Sequence, residues 1–375
     1  MTIVAAVAVT SCGSEHYVSV VNSLDVDRAE VVEVDLADLA RIAGDGPYAV
    51  VGSDDVEAPS QINSDGKLIF WAEVGANSTA DYKIVERQPA KADTVAVAAF
   101  YPQRKDDLAW ENDRSAYRAY GPALQQSGER AFGYDIWTKS VDHPVVSDRY
   151  DKAFNHDLSF HEDHGDGMDV YSVGPTLGGG TAALLDSLCE IVYPYCFEKY
   201  EIVDNGPLRV NLSLTYGPVA VDSDSAVVEH RLISLDKGSY LNRTVVSYEG
   251  LSKPRRVAPG IVLHCQNPDG YALLPKESVM AYADLTDNES AGNGIIFVGV
   301  VAPQADTLSV DRLPKPEGDA IGHLLAKSLY EPGDEYTYYW GSGWSKGSMP
   351  DWQSWKDYLA SFSRRLDNPL KIEIR

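Results

Sequence analysis

The chain has 375 residues, with 56 Asp and Glu against 32 Lys and Arg and a formal net charge of −24. A surface that acidic repels phosphate backbones and anionic lipid headgroups, so nucleic-acid and peripheral membrane-surface binding are excluded as first readings. Hydrophobic residues make up 44% and aromatics 10%, enough for a sizeable core and not the composition of a disordered acidic tail. The rings are mostly those with a polar handle, 22 Tyr and 7 Trp against 8 Phe, which suit half-wet strands and sugar faces alike.

The chain opens MTIVAAVAVTSC, an apolar run too short to span a bilayer. One reading is a first buried strand. The reading preferred here is the tail of a truncated bacterial lipoprotein signal over 1–12, with Val9-Thr10-Ser11-Cys12 resembling a lipobox and no positively charged stretch before it. Cys12 would then carry the lipid, and the protein would be exported as a periplasmic or outer-membrane lipoprotein of a Gram-negative bacterium. That anchor is its one expected link to a membrane, and a monomer is the expected state. Of the other cysteines, Cys189 and Cys196 could bridge and leave Cys265 free, with unpaired thiols the equal alternative. The absence of C-x-x-C gives no sign of a zinc ribbon or thioredoxin motif.

From residue 13 on, period-2 alternation recurs over 16–22, 29–36, 67–74, 94–101, 208–216, 226–235, 260–266, 278–285, 294–302 and 335–340. Turn signals such as Ser64-Asp65-Gly66, Asn205-Gly206-Pro207 and Asn267-Pro268-Asp269-Gly270 separate these runs. Strands and turns at this density predict an all-β, mainly antiparallel sandwich rather than βαβ units. One helix is predicted near the C-terminus. From Asp351, the residues Trp352, Trp355, Tyr358, Leu359, Phe362 and Leu366 recur at helical spacing, and Asn368-Pro369 ends the run. No repeat, linker or composition break divides the chain, so a single domain over 13–375 is expected.

Chemistry-bearing residues concentrate between about 104 and 180. Read as one strand, 110–122 puts Arg114, Arg118 and Tyr120 on one face and Tyr117 and Ala119 on the other. Guanidinium forks suit carboxylates and sulfates, although an exposed strand with Arg–Glu pairs would look the same. In 133–140, alternation groups Asp135, Trp137 and Lys139, either a sugar-binding surface or a half-exposed salt-bridged strand. The densest stretch is His161-Glu162-Asp163-His164-Gly165-Asp166-Gly167-Met168-Asp169-Val170-Tyr171, a predicted loop. It reads as a divalent-metal site, as a histidine general acid or base oriented by an aspartate, or as a hydrogen-bonded polar loop. Without H-E-x-x-H or EF-hand spacing, acid–base chemistry stands ahead of metal; no cofactor is certain, and a divalent metal stays open. The run Thr176-Leu177-Gly178-Gly179-Gly180-Thr181 lacks both nucleotide-binding patterns and reads as a tight turn. His264 sits in a strand, where a lone histidine is more often satisfied in the core, and Trp344 lies in a ring-rich loop suited to a cleft rim or a plain turn.

Taken in order, Trp110-Glu111-Asn112-Asp113-Arg114, Tyr120-Gly121-Pro122, Trp137-Thr138-Lys139, His161-x-Asp163-His164-Gly165-x-Gly167-x-Asp169-x-Tyr171 and Gly343-Trp344-Ser345-Lys346 resemble a family of exported bacterial proteins. That family is catalogued as a domain of unknown function and is found in polysaccharide-utilisation systems. The resemblance covers residue 16 to the C-terminus and departs at Gly178-Gly179-Gly180, where a cysteine is usual. It implies a β-sandwich of the galactose-mutarotase type and likeness to an ulvan oligosaccharide dehydratase, which eliminates water from a non-reducing-end uronic acid. The expected substrate is then an acidic oligosaccharide. On that basis Arg118, with Arg114, would hold the uronate carboxylate. His164 or Tyr171 would be the base, and Lys139 or His161 would assist the leaving group. Trp110, Trp137 and Trp344 would form the sugar platform, with Asn112, Tyr120, Asp169 and His264 as further substrate contacts. Two alternatives stay open: a glycoside hydrolase with carboxylates among Asp163, Asp166 and Asp169, and a glycan-binding surface lipoprotein without catalysis.

Overall fold

The computed structural model describes residues 15–375. The leader expected over 1–12, with Cys12, lies outside the described residues. The described residues form two compact units, one of 15–91 with Leu370–Arg375 and the other Ala92–Pro369, where the sequence reads as a single domain over 13–375. The division escapes sequence inspection because the C-terminal strand Lys371–Ile374 returns to pair with the first strand, His16–Asn22, placing Ile374 opposite Val18.

In the smaller unit a five-stranded sheet, ordered Lys371–Ile374, His16–Asn22, Ser78–Glu86, Tyr48–Val51 and Glu57–Ala58, shares a core with the three strands Arg28–Asp35, Lys67–Val74 and Ser60–Ile62. Val18, Val20, Val34, Leu68 and Phe70 fill that core. Removing each such side chain from water contributes about 1.5–3 kcal/mol.

The larger unit has three antiparallel sheets among the described residues. A nine-stranded sheet runs from Phe197–Asp204 through Arg209–Tyr216, Asp224–Asp236, Leu241–Glu249, Tyr336–Trp344, Ile296–Val301 and Val279–Asp284 to Tyr271–Leu274, with Val219–Val221 paired beside Asp224–Asp236. A five-stranded sheet is ordered Ile191–Val192, Gly179–Leu185, Arg255–His264, Ala320–Tyr330 and Thr307–Glu317. Leu212, Val246 and Val298 of the first share one buried cluster with Ala182, Val257 and Leu324 of the second. The alternation of 208–216 is the sequence cause, since Val210, Leu212, Leu214 and Tyr216 all turn inward. The fold class is therefore the one predicted, antiparallel all-β.

The helix Trp352–Asp367 also forms as predicted, with the Asp351 side chain accepting from Ser354 N at 2.8 Å as its N-cap. It buries Trp355 and Leu359 against Phe297 and Val301 of the nine-stranded sheet. Among the described residues no helix is long and apolar enough to cross a membrane.

Two local expectations change. Residues 110–122 are not one strand but the hairpin Asp107–Glu111 and Ala116–Ala119, followed by the short helix Pro122–Gln126. Asn112 makes the turn, its Oδ1 accepting from the backbone N of Arg114 and Ser115 at 2.8 and 3.1 Å. The triple glycine is half turn and half strand. Gly178 has φ +55°, while Gly180 sits inside Gly179–Leu185 at φ +133°, where a Cβ would come within 2.6 Å of Trp340 Cβ. Cys189, Cys196 and Cys265 are free thiols, so the expected alternative of a Cys189–Cys196 bridge is not formed.

Candidate active site

Several predicted residues converge in the larger unit around Arg118. Hairpin register places Arg118 opposite Asp135 on Asp135–Trp137 and opposite Ala109 on Asp107–Glu111. Its guanidinium pairs with Asp135, with Asp169 at 2.9 Å and with Asp107 at 3.3 Å. Tyr120 and Trp137 lie under it at 5.1 and 5.2 Å. The group is buried, and three carboxylates share the one guanidinium of Arg118, with Arg104 acting on Asp107 and Asp169 from farther off. Burial first, then Asp135 close by, pushes the Asp169 carboxyl well above the ordinary carboxylate range despite Arg118. Burial raises Asp107 as well, against Arg118 and the Tyr150 hydroxyl, which donates to it at 2.8 Å.

From Asp169 the extended chain reaches Tyr171 two residues on, and there a second group begins. The Tyr171 ring stands edge-on to His264, with centroids 5.9 Å apart. His264 ends the strand Arg255–His264 of the five-stranded sheet, and Asp284 ends Val279–Asp284 of the nine-stranded one. The two strand ends bring Asp284 Oδ2 to 2.6 Å from His264 Nδ1, so the histidine donates through Nδ1. Asp284 Oδ1 accepts from Thr286 N at 2.7 Å. Burial works against the imidazolium, but the Asp284 charge and hydrogen bond outweigh it, and His264 holds its proton more tightly than a free histidine. Burial and then Asp284 push the Tyr171 phenol well above its ordinary value. The Tyr171 hydroxyl and His264 Nε2 are both buried with no hydrogen-bond partner. Buried polar atoms in that state are rare and point to function or to an absent ligand.

His161 is the member that meets solvent, its side chain 57% exposed. Its Nδ1 lies 2.7 Å from the Asp169 backbone carbonyl, which fixes the ring against the cluster. Asp319, in the turn between Thr307–Glu317 and Ala320–Tyr330, accepts from Ser172 at 3.1 Å beside Tyr171.

The structure thus brings together Arg118, Tyr120, Trp137, His161, Asp169, Tyr171 and His264. Several expected roles nevertheless change. Arg118 was expected to hold a substrate carboxylate, yet three aspartates already occupy it. Arg114 lies in the hairpin turn beside Asp113 at 3.6 Å, away from Arg118, because the run is not a single strand. The Lys139 ammonium spends all three donors on Glu111 at 2.6 Å and the carbonyls of Asn112 and His143 at 2.6 and 2.8 Å, so none remains for a leaving group. Asn112 is consumed by its turn and by the Asp236 and Ser239 carbonyls at 2.6 and 2.7 Å.

The expected tryptophan platform is internal. Trp110 is fully buried and donates to Asn242 at 2.7 Å. Trp137 lies between Arg118 and Phe160, and buried Trp344 donates to the Asn293 carbonyl at 2.8 Å. None of the three offers a free face. His164 points away from the cluster into a shallow surface dimple with Arg149, Lys152, Phe160 and Glu162, its Nε2 2.9 Å from the Ser159 carbonyl. Asp163 accepts from Gly165 N and Gly167 N at 2.9 and 3.0 Å, and Asp166 pairs with Arg149 at 2.9 Å, so that half of the loop is a hydrogen-bonded turn. Among the described residues no three or more His, Cys, Asp or Glu side chains are grouped to hold a metal ion. The residues that sequence inspection missed are Asp107, Asp284 and Thr286. Only the polar run Asp284-Leu285-Thr286-Asp287 after an apolar strand hinted at the last two.

A chain with this antiparallel β fold belongs to a defined family. The chain is a member of the family described as a domain of unknown function (DUF4861), whose model matches residues 20–372. It is 27% identical over 402 residues to uncharacterized protein P7 of Formosa agariphila, spanning 100% of this chain and 98% of that protein. Among solved structures, an alpha-mannosidase from Enterococcus faecalis V583 aligns with 96% of this chain and 46% of its own at 10% identity and a TM-score of 0.46. A glycosyl hydrolase family 38 protein from Enterococcus faecalis aligns with 96% of this chain and 47% of its own at 9% identity and the same TM-score of 0.46. The chain spans about half the length of those two proteins.

Proposed function

We propose that this protein is a carbohydrate-active enzyme that acts on uronic-acid-ended oligosaccharides by acid–base elimination. The observation that carries the proposal is the pair of unpartnered buried groups, the Tyr171 hydroxyl and His264 Nε2, with His264 braced by Asp284. His264 Nε2 takes the proton at C5, the electron pair forms the new double bond, and the C4 hydroxyl departs as water on receiving a proton from Tyr171. Tyr171 is the acid and not the base, because its raised proton affinity keeps the phenol protonated. Asp284 holds the imidazole in the tautomer that leaves the lone pair on Nε2, and the exposed His161 receives the substrate. Arg118 keeps Asp107, Asp135 and Asp169 together and so fixes the segment that carries Tyr171. An acidic saccharide fits the family resemblance in the motifs. An exported setting with a lipid on Cys12 and a monomeric state are part of the same proposal.

A second reading is glycoside hydrolysis. It is favoured by one observation, the gathering of Asp107, Asp135 and Asp169, with burial and then the Asp135 charge raising the proton affinity of the Asp169 carboxyl, the direction a general acid needs. Of the three carboxylates first considered for that chemistry, only Asp169 is at the cluster.

The test is ultraviolet absorbance in the unsaturated-uronate band with a panel of uronate-ended ulvan, pectic and glycosaminoglycan fragments. A rise with the wild-type protein, absent with His264→Gln, supports elimination. New reducing ends without that rise support hydrolysis, and neither signal on any fragment sinks both.

A further inference from the structure

Next to the proposed acid–base pair, Thr286 adopts a backbone conformation that its side chain disfavours. Its φ is +70°, in the left-handed region where a β-branched residue is a rare outlier. Glycine or asparagine would sit there with less strain, so the fold keeps threonine against its own backbone preference. Thr286 is 2% exposed, and its Oγ1 is buried without a hydrogen-bond partner. Its own backbone N holds Asp284 Oδ1 at 2.7 Å, and the next residue, Asp287, donates from N to the Val170 carbonyl at 3.2 Å. Those two bonds fix Thr286 between the carboxylate that braces His264 and the segment that presents Tyr171. Three buried polar atoms without hydrogen-bond partners thus lie on residues tied together through Asp284 and the 170–171 segment: Tyr171 Oη, His264 Nε2 and Thr286 Oγ1. A strained residue beside an unfilled set of donors and acceptors is what a ligand-binding position requires.

We infer that Thr286 is a substrate-binding residue whose hydroxyl donates to an oxygen of the terminal sugar, either a ring hydroxyl or a carboxylate oxygen. The inference rests on the acid–base reading of the Tyr171–His264 pair and extends it to recognition. The chemistry asked of the ligand is a hydrogen-bond-accepting oxygen beside the atom from which the proton is taken. Valine matches threonine in shape and lacks the hydroxyl, while serine keeps it.

The test compares wild type, Thr286→Val and Thr286→Ser on a uronate-ended oligosaccharide and on the same oligosaccharide with its carboxyl group reduced to an alcohol. Turnover and calorimetric binding are read on both, and thermal melting checks the fold. The expected result is a loss of about tenfold in kcat/KM and in affinity for Thr286→Val, with Thr286→Ser near wild type. Melting should be unchanged or raised in Thr286→Val, since an unpaired buried hydroxyl has been removed. A loss confined to the uronate identifies a carboxylate oxygen as the acceptor, and an equal loss on both substrates identifies a hydroxyl. Wild-type kcat/KM and affinity in Thr286→Val overturn the inference. If the wild-type protein turns over neither substrate, elimination fails while binding still decides the point: weaker binding to Thr286→Val supports the contact and equal binding overturns it. Should Thr286→Val not fold, Thr286→Gly, which removes both the hydroxyl and the strain, takes its place with the same expected losses.

Discussion

His264 Nδ1 lies 2.6 Å from Asp284 Oδ2, and the two residues belong to different sheets of the same unit. The contact ties the end of one strand to the end of another and leaves Nε2 as the only free nitrogen of a buried ring.

The role of Asp284 is testable through pH. The base must be neutral to accept a proton, so the rate should rise with pH through the His264 pKa, which Asp284 holds above the ordinary histidine value. Asp284→Asn removes that support. The rising limb of kcat/KM should move to lower pH and the maximal rate should fall by about 10²–10⁴-fold. The stability effect has a defined sign. A raised folded-state pKa stabilises fully below the unfolded value of about 6.5, and that contribution is lost as pH rises through the folded value. Asp284→Asn should therefore lose stability relative to wild type at mildly acidic pH and differ less at alkaline pH, as read by melting across a pH series.

Tyr171→Phe separates chemistry from folding. The phenol oxygen has no partner, so deleting it removes no hydrogen bond and spares a desolvation cost. Melting should be equal or higher than wild type while turnover falls by about 10²-fold or more. A fall in melting temperature together with retained turnover would make the hydroxyl structural.

Arg118→Leu should act on the fold first. It leaves Asp107, Asp135 and Asp169 buried without their paired cation, and loss of one partner from a buried network costs about 3–5 kcal/mol. Denaturant unfolding is the measurement. A variant of wild-type stability with only a raised KM would return Arg118 to the role of substrate clamp.

Much of this architecture is legible in the sequence, and the misses have physical causes. The strands His16–Asn22 and Lys67–Val74 fall on the expected bounds because each is rich in buried apolar residues and bounded by turn residues. The C-terminal helix was readable from its cap and its aromatic stripe. The face shared by Asp135 and Trp137 was also legible, and Trp137 Nε1 donates to Asp135 at 3.1 Å. Lys139 falls past the end of that strand, so alternation no longer governs it. The hairpin turn at 112–115 is made by one asparagine side chain that resembles a strand residue in pattern. The Asp284–His264 pair joins two sheets, and no local periodicity reports a contact between strands that are not hydrogen-bonded neighbours. His161 and His164 are close in sequence and similar in type, yet the turn built by Asp163 sends one toward Asp169 and the other to the surface.

His164→Ala follows from that divergence. His164 is exposed and bonds only to the Ser159 carbonyl in the described structure, so turnover should stay at the wild-type level and stability within about 0.5 kcal/mol. A hundredfold loss of rate would place the base on the surface loop instead.

The most direct measurement is the product mass from a uronate-ended trisaccharide incubated with the wild-type protein, with His264→Gln as control. Elimination at the Tyr171–His264 pair predicts one product lighter than the substrate by one water and no product with the control. Two smaller fragments whose masses sum to substrate plus one water would contradict it and assign hydrolysis.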